Sequence, residues 1–272
     1  MNARTAVILA IALAAAPIHA QSPDPTLAAA ARWIGRSLIL RGFYAPNELH
    51  YDPAGKAEGT PKSTDWTLAG VDLEAIKRID PATLELDGVR VAIRFNPDNQ
   101  LFERHPQKDQ HLKILVAIPG TGSPSNQLLG TEPIEETLAR IFSIGIDPAL
   151  QRSMPDFWRH YFDPHIAWDG EPVYPAPATV TAPPTLAHRT DVPETPEAEH
   201  DKVRGSLLMR LTVDEHGAVK FVSVLKPLGY GLDARAIEQV RRWTFTPAQA
   251  SGAPAPMKLD IAETFAPRPP LR

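Results

Sequence analysis

The stretch Gly229–Pro247, GYGLDARAIEQVRRWTFTP, decides how the last third of this chain folds. Two readings compete for it. One is a basic helix that carries Arg235, Arg241 and Arg242 to an acidic partner. The other is a packing helix whose charges merely face water. Leu232, Ala236, Val240 and Trp243 recur at helical spacing, and Ile237 widens their stripe to about 100° of arc. Arg235, Glu238, Gln239, Arg241 and Arg242 fill the remaining surface. A stripe that broad needs a sheet beneath it, so the arginines read as a solvated face and Trp243 as a core anchor. Asp233 in the first turn and Arg241-Arg242 in the last complement the helix dipole.

The flanking segments supply the sheet. Upstream, GSLLMRLTVDEHGAVKFVSVLKP alternates Leu207, Met209, Leu211 and Val213 on one face. It turns at DEHG, where Gly217 is free to adopt the left-handed conformation, and returns from Val219 to Leu225. Downstream, MKLDIAETF alternates Met257, Leu259 and Ile261. The order is β-β-α-β: a three-stranded antiparallel sheet roofed by one helix.

These residues resemble the C-terminal domain of TonB-family proteins. The resemblance is carried by Gly205, TVDEHGAV with Gly217, the run with Leu232, Asp233, Trp243, Phe245 and Pro247, then Gly252 and a strand ending in Phe265. It covers about residues 184–265. The resemblance implies periplasmic residence and an exposed strand edge. In energy transducers of the family, that edge takes an extended peptide of an outer-membrane receptor, the TonB box, as an added strand. Met257, Lys258, Leu259, Asp260 and Ile261 are then the expected partner-binding edge. Family members usually carry Tyr-Pro where this chain has Thr195-Pro196, and the Gln-Pro element near the receptor contact is absent; Asp191 to Pro193 stand there.

Working outward, residues 172–196 hold seven prolines and read as an extended polyproline linker, although VTAPPTLAH could dock onto a neighbour. Such a linker reaches at most about 80 Å, short for a periplasm-spanning transducer. The segment before it reads as an antiparallel β-rich domain with helices, giving an α+β protein overall. SLILRGFY, STDWTLAGVDL and LKILVAI read as strands, with turns in ELHYDPAGKAEG. TLELDGVRVAIRF reads as a hairpin turning at Asp87-Gly88, since Asp-Gly between two alternating runs is a strong type I′ signal. Arg41, Arg90 and Arg94 are expected on outward positions. EPIEETLARIFSIG and DPALQRSMPDFWRHYF read as helices, the latter broken at Pro155. LILRGFY, LHYDPAGK, WTLAGVDL and GVRVAIRF also resemble a region found ahead of this module in some multidomain bacterial envelope proteins.

The N-terminus joins one arginine to an apolar run, Ala6 to Pro17, followed by Ile18-His19-Ala20. It reads as a signal peptide cut between Ala20 and Gln21, with a retained inner-membrane anchor facing the periplasm as the competitor. The expected plan is a signal at 1–20, a β-rich domain at 21–168, a linker at 169–192, the TonB-like domain at 193–265 and a tail at 266–272.

Among 272 residues there is no cysteine, which excludes disulfides and thiolate chemistry; a net charge of −4 gives no general pull toward nucleic acid. IPGTGSPSN lacks the Lys-Ser/Thr pair of a phosphate loop and reads as a turn. His160 and His165, beside Asp156 and Asp163, lie in aromatic surroundings that favour packing over metal ligation. With no nucleophile–base motif, the chain reads as a non-enzymatic envelope protein without cofactor or metal, binding a receptor peptide, another envelope protein or its own copy. An anchored energy transducer and an enzyme with a docking module are the alternatives.

Overall fold

A glycine inside a strand settles the N-terminal topology. The computed structural model describes residues 24–96, 99, 101–118, 132–174 and 179–265. In chain order the elements are α1 (Pro25–Ala31), β1 (Leu38–Leu40), β2 (Glu48–Tyr51), a 3-10 turn (Trp66–Leu68), β3 (Gly70–Asp80), β4 (Thr83–Asn96) and β5 (Leu101–Ala117). Then come α2 (Glu132–Ile141), β6 (Phe142–Ile144), α3 (Pro148–Ser153), α4 (Asp156–Phe162), β7 (Val180–Ala182) and β8 (Thr185–His188). The C-terminal set is α5 (Pro196–His200), β9 (Gly205–Val213), β10 (Val219–Lys226), α6 (Leu232–Val240), β11 (Thr244–Thr246), β12 (Ala248–Ala250), β13 (Ala253–Ala255) and β14 (Met257–Phe265).

The expected hairpin at Asp87-Gly88 is not a turn. Both residues lie inside the 14-residue strand β4, and the chain reverses earlier, between Asp80 and Thr83. Gly88 faces an irregularity in β3 between Leu73 and Ala75, where a Cβ would overlap the carbonyl oxygen of Asp72. The glycine serves close backbone approach, a second use of the residue that looks like a turn signal in sequence.

β1 to β6 form one sheet in the order β2-β5-β4-β3-β1-β6, in which β2 runs parallel to β5 and the remaining pairings are antiparallel. The run LKILVAI is the second half of β5, flanked by β2 and β4, as an apolar interior strand should be. Trp66 begins a 3-10 turn rather than a strand, and Phe142 leaves the preceding helix for β6. α3 and α4 are separated at Pro155 as expected. Trp66, Phe102, Trp158, Tyr161 and Phe162 gather at ring separations of 5.0–6.4 Å and join α4 to the sheet. His160 stacks on Trp168 at 3.6 Å, and no metal-holding group of three ligands occurs among the described residues.

The arginines expected to point outward are drawn inward. Arg90 is 3% exposed. Arg41 lies past the end of β1 and pairs with Asp147 at 2.5 Å. Arg94 donates to the carbonyl of Asp201 at 3.0 Å. Residues 88–93 of β4 are all buried, so both faces of the strand are covered there and alternation no longer separates inside from outside.

The C-terminal sheet has the order β10-β9-β14, with α6 over it. Three short strands, β11 to β13, lie between α6 and β14 and elaborate the β-β-α-β order. The proline-rich tract is used as structure: β7 pairs with β12, and β8 with β11. One hydrophobic core runs from Ala29 to Phe265 through both sheets. The phosphate-loop reading at 119–126 and the cleavage site at Ala20-Gln21 lie outside the described residues.

Candidate functional site: the open edge of the C-terminal sheet

β14 is positioned by its register on β9, which is unbroken from Met257↔Val213 to Phe265↔Gly205. The odd-numbered face carries Met257, Leu259 and Ile261 opposite Val213, Leu211 and Met209, all three of the latter buried. On the other face Arg210 grips its direct partner Asp260 with two bonds of 2.7 and 2.9 Å, and Ser206 meets Thr264 at 2.8 Å. Polar pairs on one face and apolar pairs on the other define a single register, because a one-residue slip would invert both. The Arg210 guanidinium holds the Asp260 carboxyl below its ordinary range.

Among the described residues, β14 pairs with β9 alone, so its second flank is open. Lys258, Asp260, Ala262 and Thr264 are exposed, and Met257, Leu259 and Ile261 are half-buried. Two side-chain contacts brace the strand without pairing its backbone. Lys258 meets Glu171 at 2.6 Å, and Arg189 forks onto both oxygens of the buried Glu263 at 3.0 Å. Burial pushes the Glu263 carboxyl up, and Arg189 opposes that push. An edge of this kind presents the N–H and C=O groups of alternate residues to an incoming chain.

The opposite edge is differently placed. Val222, Ser223 and Val224 of β10 are buried in succession, so both faces of that strand are covered at its middle, and α4 lies against it. β10 is thus the margin that packs on α4, and β14 is the margin at the other end of the sheet.

The signature residues hold this sheet in shape. Trp243 is 3% exposed, donates from Nε1 to the carbonyl of Thr190 at 2.9 Å and lies under Arg189 at 5.1 Å. Leu232, the first residue of α6, is fully buried. Gly217 adopts φ 84°, and a Cβ there would overlap the carbonyl oxygen of Phe245, whose N–H donates to Gly217 at 2.8 Å. The DEHG turn is thus pinned to β11, and Phe245 is buried there just ahead of Pro247.

Asp233 does more than face the helix dipole. It is fully buried, and its two oxygens accept the N–H groups of Leu228 at 2.8 Å and Gly229 at 2.7 Å. The next two N–H groups go to the 3-10 turn of the N-terminal module. Tyr230 donates to Thr67 Oγ1 at 2.8 Å, and Gly231 donates to Asp65. Four consecutive donors are shared between two carboxylates and a hydroxyl. Burial, and then the charge of Asp65, push the Asp233 carboxyl up to about 7. Thr195, which stands where the family usually has tyrosine, caps α5 and donates to the carbonyl of Tyr230 at 2.7 Å. Nothing in the sequence pattern pointed to Asp65 or Thr67, because their role depends on a partner loop more than 160 residues away.

No helix among the described residues is long and apolar enough to cross a membrane. No curated protein matches the chain. Residues 195–267 match the family profile described as Gram-negative bacterial TonB protein C-terminal. With the three-stranded sheet, its single covering helix and the buried Trp243, the match identifies the C-terminal unit of this α+β chain as a TonB C-terminal domain.

Proposed function

We propose that this chain is a non-enzymatic protein of the cell envelope, resident in the periplasm, whose TonB-type domain binds an extended peptide or partner strand along β14. The observation that carries the reading is the open flank of Met257–Phe265, held in one register and free of any second strand among the described residues. Strand addition there satisfies backbone groups that otherwise bond only to water, and the half-buried Leu259 and Ile261 offer apolar contact. The peptide would be a TonB box of an outer-membrane receptor or an equivalent extended segment of another envelope protein.

A far-reaching energy transducer fits less well. The proline-rich tract that would give reach is tied down by β7 and β8, and the loop ahead of α6 is fastened to the 3-10 turn of the N-terminal module. Titration of the isotopically labelled protein with a synthetic TonB-box peptide tests the proposal. Amide shifts should concentrate along residues 257–265, whereas shifts confined to β10, or none at millimolar peptide, would overturn it.

A further inference from the structure

Where the N-terminal sheet meets α5 there is a cleft of about 340 Å³, within reach of the sizes typical of small-molecule sites, about 300–1,000 Å³. The sheet side contributes Ala45, Thr64, Arg90, Gln107 and Gln110; α5 and the residue after it contribute Glu197, His200 and Asp201. Neither module forms this cleft alone.

Arg90 is the unusual member. Its side chain is buried, yet its partners are all neutral: Asn47 Oδ1 at 3.0 Å, Ala45 O at 3.3 Å and the carbonyl of Pro46. Nη1 is buried with no partner at all. Among the described residues no carboxylate pairs with this guanidinium. Taking a guanidinium out of water without a counter-ion is unfavourable, because the desolvation cost is left uncompensated. Burial accordingly lowers its proton affinity to about 10. A guanidinium in the wall of a cleft with one nitrogen unpartnered is short of an acceptor that an anionic ligand could supply.

The opposite wall has the other sign. Glu197 is exposed and makes no ion pair among the described residues. Asp201 receives Gln107 Nε2 at 2.9 Å, Tyr230 Oη at 3.0 Å and His200 Nδ1 at 2.8 Å. His200 also reaches Asp109 at 3.7 Å, and these carboxylates, Asp201 first, raise its affinity for a proton. Two acids near the mouth argue against a multiply charged phosphate. They suit a ligand that carries its own positive charge at the far end.

We propose that this cleft binds a small zwitterion, an amino acid or short peptide, whose carboxylate pairs with Arg90 and whose ammonium faces Glu197 and Asp201. Because the two walls belong to different modules, the bound molecule would bridge the N-terminal sheet and the TonB-type domain. This site is separate from β14 and does not depend on peptide capture there.

The test uses the full chain with alanylalanine, alanylalanine amide, sodium acetate and inorganic phosphate as probes, followed by amide shifts and calorimetry. Free alanylalanine should shift the signals of Gln107, Gln110 and His200, and blocking its carboxylate as the amide should weaken binding at least tenfold. Arg90→Lys should weaken it comparably, since the fork is lost while the charge remains. Thr64→Trp, which fills the cleft while leaving Arg90 itself unchanged, should abolish it while preserving the thermal transition. The proposal is overturned if no probe binds at 10 mM, if phosphate or the amide equals free alanylalanine, or if Thr64→Trp binds normally.

Discussion

The hydroxyl of Thr67 accepts the backbone N–H of Tyr230 at 2.8 Å, joining residues 163 positions apart across the seam between the two sheets. Thr67 is fully buried, and the same hydroxyl donates to Asp65 at 2.6 Å. Thr67→Val keeps the shape but strands two polar groups, so it should cost about 1–3 kcal/mol. Urea denaturation checks this. A loss under about 0.5 kcal/mol would mean the seam closes without that bond.

Asp233 predicts a pH dependence with a defined sign. Its carboxyl is pushed from 3.8 up to about 7 in the folded protein, so between those values the folded state holds a proton that the unfolded chain has released. Its contribution to stability therefore declines as pH rises from about 4 to 7 and is level above that window. Asp24 and Asp260, held low by Arg78 and Arg210, act in the opposite sense and at lower pH. Asp233→Asn should lower stability overall, because its amide group can accept only one of the two N–H donors well. It should also flatten the slope between pH 4 and 7; an unchanged slope in urea titrations would contradict the assignment.

Gly217→Ala should be among the most damaging small substitutions in the chain. The added methyl would overlap the carbonyl of Phe245 in a backbone already at φ 84°. A loss of more than about 2 kcal/mol is expected, from the positive φ and the clash together. Thermal melts of the variant should fall by several degrees while secondary structure at low temperature persists.

Gly88→Ala discriminates between the hairpin and the continuous strand. In a surface turn a methyl could point into water, whereas here it meets the carbonyl oxygen of Asp72 within the sheet. Destabilisation together with faster amide exchange at β3 residues 72–75 is the expected outcome. Altered exchange limited to residues 87 and 88 would favour the turn.

The residues that could be read in advance were those whose role is local. The α6 stripe from Leu232 to Trp243, the Gly217 turn and the alternation in β9 and β14 each follow from periodicity within about ten residues. Misreadings came where a distant partner overrides the pattern. Gly88 looks like a turn until Asp72 is beside it. Arg90 looks solvated until the loop 45–47 closes over it. The prolines of 172–196 look like a free spacer, yet three- and four-residue strands on either side of Pro183-Pro184 are too short to leave a period and pair with residues 56 to 70 positions later. The alternation that makes β14 a strand was legible, whereas its reading as a partner-binding edge came from the family resemblance; the cleft at Arg90 left no local signal, because its walls come from two modules.

The burial of β10 against the N-terminal module has a consequence for assembly. A sheet with two available margins can recruit neighbours on both and string them into fibrils. With one side turned inward, the C-terminal sheet keeps one margin for docking among the described residues, and two molecules meeting through that open margin would satisfy each other there and stop. If association runs through β14 as proposed, the N-terminal module would act as a chain terminator, making it finite by geometry rather than by affinity.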